Sequence, residues 1–445
     1  MMSRKPREIL ALNAFDAGNP APLAADVQDL LARRDRSFGA TSMLFYEEPL
    51  HVVSASGVHL HTADGRTYLD LYNNVPSVGH CHPRVVDAVS RQMGLLNSHT
   101  RYLYDVLHDY AERLLATFSA PLTNVAFTCT GSESNDLALR LARGMTGSTG
   151  VIVTETAYHG NTTAVTEVSP SSYKRGRPPS YVRTIPAPDA RHYGSDIGAG
   201  LAAAVTAEIE TLRSEGFGFA ALLVDSIFSS DGIFSDPAGF LAPAVAAAHE
   251  AGGLFIADEV QPGFGRTGDG MWGYDRHGVR PDIVTLGKPM GNGFPMGAVV
   301  TRPEILTRFA EEFGYFNTFG GNPVASAAGI AVLDVIADEG LIDNARTVGA
   351  QLKQGLVELA KDHAGLGEIR GTGLYLGVEI AGEGGPDAEA ATRLINGLRR
   401  KGILIGAAGR FGNVLKIRPP LCLTRGHGDE FLTVLDELLG ATGQS

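Results

Sequence analysis

The chain has 445 residues, 44% hydrophobic and 19% charged, an ordinary globular composition with enough length for a large core. A net charge of −12 argues against a general nucleic-acid or membrane-surface role, and no apolar run approaches the roughly 20 residues of a membrane span. Three widely spaced cysteines (Cys81, Cys129 and Cys422), no CxxC pair and a polar start unlike a signal peptide predict reduced thiols in a cytoplasmic protein.

Residues 1–75 read as a polar arm followed by a β-segment. An amphipathic helix is expected around Ala25–Arg33, and alternation over His51–Asp70, with a turn at Asp64-Gly65, predicts β-structure that packs with a smaller C-terminal domain. Residues 76–340 alternate strand, loop and helix. The candidate strands are Val125–Thr128, Val151–Thr154, Ala220–Asp225, Leu254–Ala257, Asp282–Leu286 and Ala298–Val300. Such alternation predicts an α/β large domain, a mostly parallel sheet flanked by helices. Residues 341–445 predict a smaller α+β domain. It holds a helix from Ile342 to about Lys361, strands near Leu374–Ile380, Ile403–Ile405 and Val414–Ile417, and a last helix over Gly428–Leu439.

Three features fall at strand ends of the large domain, where open α/β sheets bind ligands. In TCTGSESNDLALRLARGM (128–145) a strand runs into Gly131-Ser132 and a helix whose apolar stripe is Leu137, Leu141 and Met145. A Gly-Ser step at a helix start offers free N–H groups and a hydroxyl, which suits a phosphate; alternatively, Ser132 only caps the helix. In LFIADEVQPGFGRTG (254–268), Asp258 and Glu259 end a very apolar strand, where a carboxylate needs a partner such as a nearby arginine. The GFGRTG within it matches GxGxxG, but it starts five residues beyond the strand and precedes no helix, so it is not a dinucleotide fingerprint. In PDIVTLGKPMGNGFPMG (281–297) a core strand ends on Lys288, although lysine is rarely buried unless it is paired or used. A neutral, desolvated lysine forms an imine with a carbonyl. Together, a phosphate cradle, a buried Asp and a strand-end Lys fit pyridoxal 5'-phosphate (PLP): Lys288 on the aldehyde, Asp258 on the pyridine nitrogen, and Gly131 and Ser132 on the phosphate.

Six motifs carry a family resemblance: GHCHP (79–83), GSESN (131–135), YHG (158–160), ADEVQPGFGRTG (257–268), LGKPMGNG (286–293) and NTFGGNP (317–323). From about Pro49 to Leu439 the chain resembles the class III aminotransferase family of fold-type-I PLP enzymes. The resemblance implies that Lys288 carries the cofactor and Asp258 holds its ring nitrogen. It also implies that Val260 and Gln261 lie beside the ring and its phenolic oxygen, and that Tyr158 stacks on the ring. Thr318 would reach the phosphate from the other subunit, which implies a homodimer with shared active sites. His159 is expected to be structural. His80 and His82 have no second ligand cluster, so a structural turn is expected there and no metal.

Against an ordinary aminotransferase the sequence departs in several places. In VLKIRPPL, Lys416 stands where an arginine for the substrate carboxylate is common. Arg418, two residues on, would face the same side of a strand unless it turns away at Pro419. Asn161 replaces a second arginine, and in VDSIFSSDG Ser230 replaces the glutamate that pairs with a movable arginine. Asn73-Asn74 place amides where an aliphatic residue is common. YNNVPSVGHCHP (72–83), NDLALRLAR (135–143), GKPMGNG (287–293), YFNTFGGNPV (315–324) and VLKIRPP (414–420) resemble the phospho-lyase branch that acts on O-phosphoethanolamine or phosphohydroxylysine. The resemblance implies a cytoplasmic lyase that releases phosphate from a small amino phosphate, with Lys416, Asn73, Asn161 and Arg418 as candidate substrate residues. Two alternatives stand beside it: an ω-aminotransferase moving an amine to a keto acid, and a PLP-binding regulator without turnover.

Overall fold

The computed structural model describes residues 8–16, 18, 23–41 and 43–442. The strands, in chain order, are β1 (Val52–Ser56), β2 (His59–Thr62), β3 (Thr67–Asp70), β4 (Asn124–Thr128), β5 (Val151–Thr154), β6 (Val182–Ile185), β7 (Ala221–Val224), β8 (Leu254–Asp258), β9 (Ile283–Leu286), β10 (Gly297–Thr301), β11 (Leu366–Thr372), β12 (Tyr375–Gly382), β13 (Gly385–Pro386), β14 (Ile403–Leu404), β15 (Gly406–Ala408) and β16 (Val414–Ile417). Among the described residues no helix is long and apolar enough to cross a membrane.

A seven-stranded sheet in the order β4-β10-β9-β8-β7-β5-β6 forms the centre. Its inner strands β5, β7, β8, β9 and β10 are buried at every residue, as their unbroken apolar runs require when helices cover both faces. Only β10 runs against its neighbours; the other pairs are parallel. The carboxyl ends of β4, β5, β7, β8 and β9 therefore share one edge, and β10 begins at that edge. The sequence pattern missed β6, a short strand, VRTI, whose two central residues are only half-buried.

The helix after β4 spans Gly131–Thr146. Its buried stripe includes Asn135, Ala138, Leu139 and Ala142 as well as Leu137 and Leu141. Met145 is exposed instead of continuing the stripe, because it lies in the last turn beside the C-cap Gly147. The N-terminal helix extends to Phe38, beyond the expected Arg33, and buries none of its residues.

A four-stranded sheet, β1-β2-β3-β14, joins the N-terminal β-segment to residues 403–404 by a parallel β3–β14 pair. A third sheet, β11-β12-β16-β15, carries Lys416 on β16. The sequence pattern missed β11 and β15, since β11 is interrupted by glycines and charges and is defined by its pairing with β12.

Candidate active site

At the shared edge of the central sheet lies a cavity of about 280 Å³, lined by Gly131, Ser132, Tyr158, Asp258, Val260, Gln261 and Lys288 among others. Each wall residue leaves a strand end: β4 leads to Gly131, β5 to Tyr158, β7 to Asp225, β8 to Asp258 and β9 to Lys288. A second cavity of about 180 Å³ meets the first at Tyr158, Gln261 and Lys288, and it is lined also by Lys416, Arg418 and Ser230. Lys288 lines both, and its side chain is accessible from the space they enclose. Burial and the nearby Arg418 charge lower its pKa, and Asp258 and Asp225 oppose them only in part.

The phosphate end is built from close approaches. The N-cap is Thr130, whose hydroxyl accepts from Glu133 N at 3.1 Å, so Ser132 does not cap the helix. The Ser132 hydroxyl instead accepts from Asn161 N at 3.1 Å. A Cβ at Gly131 would lie 2.8 Å from Val260 Cγ2, and one at Gly160, where φ is +143°, would lie 2.4 Å from Ser132 Oγ. Only glycine lets these segments close into a cup around the free N–H groups of the helix start.

Asp258 accepts from Asn135 Nδ2 at 3.0 Å and from Val260 N at 3.1 Å, and its Oδ2 lies 2.7 Å from His159 Nδ1. No arginine takes part. His159, expected to be structural, thus holds the key carboxylate, and Asn135 is held in turn by Thr285 Oγ1 at 2.7 Å. Both were missed as site residues. The available signal was a polar Asn on an otherwise apolar helix stripe. Glu259 also lacks the expected arginine: it accepts from Gly273 N at 2.7 Å, Tyr274 N at 3.1 Å and Ser226 Oγ at 3.0 Å, and burial pushes it up to about 8.

Gln261 Oε1 accepts from Asn74 Nδ2 at 2.9 Å, from the Tyr375 hydroxyl at 3.2 Å and from Arg418, which leaves its Nε2 for the cavity. Arg418 also donates to Asn74 Oδ1 at 3.0 Å and lies over the Tyr72 ring at 4.6 Å, so it does not turn away at Pro419. Lys416 is buried, and its Nζ makes no hydrogen bond to a described residue and sits 5.7 Å from the Tyr375 ring. Burial, then the neighbouring Arg418, drives its pKa well down.

Three expected site residues lie elsewhere in the chain's own structure. Asn73 and Asn161 line neither cavity: Asn73 Oδ1 accepts from Val75 N at 3.2 Å, and Asn161 is exposed. The neighbouring Asn74 is the amide that reaches the site. Thr318 is exposed and lines neither cavity. Asp225, not anticipated, lines the first cavity, and burial followed by the charge of Asp258 raises its pKa. Among the described residues no group of three or more His, Cys, Asp or Glu is placed to hold a metal ion; His80 pairs with Asp70 and His82 with Glu339.

These residues fit PLP. The glycine cup matches a phosphate, the buried carboxylate matches a ring nitrogen, and a desolvated lysine stands between two cavities. The aminotransferase class-III profile matches residues 45–439. The chain belongs to the class III aminotransferase family. A Drosophila melanogaster relative named alanine–glyoxylate aminotransferase 2-like is 40% identical, covering 92% of this chain and 87% of the relative. A Caenorhabditis elegans relative named ethanolamine-phosphate phospho-lyase homolog 1 is 39% identical, covering 96% and 98%. A solved Arthrobacter phospholyase in complex with phosphoethanolamine is 44% identical, with a TM-score of 0.89 over 93% of this chain and 99% of that one. This class III aminotransferase family member is a PLP-dependent enzyme with the fold-type-I architecture.

Proposed function

We propose that this enzyme is a phospho-lyase that eliminates phosphate from O-phosphoethanolamine-like amino phosphates to give an aldehyde, ammonia and phosphate. One observation carries the reading: the second cavity presents Lys288, Lys416 and Arg418 and, among the described residues, is lined by no acidic one. Lys416 Nζ has no anionic partner among the described residues, and burial favours its neutral amine; a phosphate dianion would favour the ammonium and pair with it. The likeness to the Arthrobacter phospholyase, solved with phosphoethanolamine, supports the same substrate class. Common ligand pockets run to about 300–1,000 Å³, so a cavity of about 180 Å³ suits a molecule this small.

PLP, when bound, supplies an electron sink for negative charge on the amine-bearing carbon. Gly131 and Ser132 would hold its phosphate, Asp258 its ring nitrogen, Gln261 its phenolic oxygen, and Tyr158 and Val260 its two faces. His159 and Asn135 fix the Asp258 carboxylate. Lys288, whose pKa burial and Arg418 lower, is the base placed to take the proton from the amine-bearing carbon. Lys416 and Arg418 hold the substrate phosphate as the neighbouring C–O bond breaks, and the electron pair leaves on the phosphate oxygen. Water then converts the released vinyl amine to aldehyde and ammonia.

The test is to incubate the enzyme with phosphoethanolamine, without any keto acid, and to assay inorganic phosphate. The aminotransferase alternative draws on the fly relative, which is as similar as the nematode one. It prevails if no phosphate appears while amines are transaminated with pyruvate. Lys416→Ala should raise KM for phosphoethanolamine by one to two decades, since a charged hydrogen bond is worth roughly 1.5–3 kcal/mol. Uncharged amines, followed by their effect on the cofactor spectrum, should respond little.

A homodimer and a cytoplasmic location belong to the same proposal. Tyr104 donates to Gly321 O at 3.3 Å, and Arg101 lies over the Phe316 ring at 4.0 Å, so these two segments adjoin. They expose Leu103 at 92%, Tyr102 at 65% and Phe319 at 68%, an apolar face flanking Thr318 that a second copy would cover. Asn317 accepts from Gly320 N at 2.9 Å and donates to Glu133 at 3.2 Å, which fixes the Thr318 loop. Mixing Lys288→Ala chains with Thr318→Ala chains should therefore restore activity above both parents, because one site in each mixed dimer is intact. Mixed dimers with no gain would remove Thr318 from the partner's site. The three cysteines are unpaired thiols, which suits a reducing compartment.

A further inference from the structure

The arm at Ile9–Asn13 lines the substrate cavity opposite Lys416 and Arg418. It is tied down on its C-terminal side: Phe15 N donates to Leu44 O at 2.8 Å, and Tyr46 N donates to Asn13 O at 2.9 Å. Leu12 is buried. Asn13 is the polar side chain that the arm brings to this cavity, and its Oδ1 is buried without a hydrogen-bond partner. A buried amide left unpaired is a cost to the fold. Part of the reason for Asn here is its backbone, which sits at φ +59°, a left-handed conformation that Asn and Gly tolerate. That explains the residue's shape requirement but not an amide placed beside two buried cations.

We propose, resting on the phospho-lyase reading, that the arm completes the substrate site and that Asn13 is a specificity-determining residue whose amide NH2 donates to the substrate phosphate. The amide then adds a neutral donor to the charges of Lys416 and Arg418. Ile9, Leu10 and Leu12 form an apolar wall that limits the substrate to a short chain. A bulky substituent on the chain would meet this wall.

The left-handed backbone supplies clean variants. Asn13→Gly keeps the conformation and removes the amide. Asn13→Asp keeps shape and conformation and sets a carboxylate against the phosphate. The experiment measures phosphate release from phosphoethanolamine by the PLP-loaded enzymes, the inhibition constant of inorganic phosphate, and melting temperature. The expected result is KM and the inhibition constant both raised, by about tenfold for Asn13→Gly, or roughly 1.4 kcal/mol, and further for Asn13→Asp. Turnover and melting temperature should stay near wild type. KM and the inhibition constant within twofold of an active wild type in both variants would overturn the inference while leaving the phospho-lyase reading intact. So would a uniform loss of melting temperature and turnover without a selective change in KM, since the arm would then be only structural. If the wild type itself releases no phosphate, the phospho-lyase reading fails and the inference falls with it.

Discussion

Lys288→Ala is expected to abolish phosphate release, with turnover lower by about five orders of magnitude, roughly 7 kcal/mol of barrier. Lys288 stands at the junction of the two cavities and, among the described residues, is the only lysine that lines both. No described neighbour can replace it as base. Lys416 is nearest in chemistry, but it lines only the second cavity. Asp225 is a carboxylate held by Ile227 N at 3.0 Å and Ser229 N at 3.0 Å. The checks are phosphate release and the visible spectrum of the purified protein. Wild type should be yellow, and the variant should lose the absorbance that depends on the lysine. An unchanged spectrum in Lys288→Ala would remove the residue from the cofactor.

Asp258→Asn is expected to keep the fold and lower turnover by about three orders of magnitude, roughly 4 kcal/mol. The substitution is nearly isosteric, and its amide oxygen can keep the donors of one side of the carboxylate, either Val260 N on Oδ1 or Asn135 Nδ2 on Oδ2. What is lost is the negative charge that keeps a proton on the ring nitrogen and so sustains the electron sink. The new NH2 faces either Val260 N, at the position of Oδ1, or both Asn135 Nδ2 and His159 Nδ1, at the position of Oδ2. Steady-state kinetics on protein with full cofactor content and an unchanged melting temperature would measure the effect. A decrease of less than about tenfold would show that the charge at this position does not support the chemistry.

Much of the site was legible because its chemistry sits at strand ends. An apolar run that ends in Asp258 or Lys288 contradicts its own hydrophobic pattern, and such a break marks function whatever the fold around it. The Gly131-Ser132 step was legible for the same reason, although the cap proved to be Thr130. His159 and Glu259 were misread because each needed knowledge of its partner. His159 finds Asp258 from 99 residues away in the chain, and Glu259 is satisfied by backbone N–H groups of Gly273 and Tyr274 rather than by an arginine. Asn73 was taken for its neighbour: one residue's shift on the chain sends one amide to Val75 N and the other to Gln261.

The sequence by itself determined the α/β alternation, the buried strands, and the strand-end positions of Asp258 and Lys288, which follow from local periodicity and from residue types that are costly to bury without use. Its motifs carried the resemblance that gave the family. Period two along β16 also placed Lys416 and Arg418 on one side. The tertiary structure alone decided that Arg418 continues past the strand into the same cavity, that Asn135 and His159 hold Asp258, and that the arm at Asn13 lines the same cavity as Lys416. Each of these joins segments about 100 or more residues apart, and such contacts are set by sheet order and packing, which no local pattern encodes.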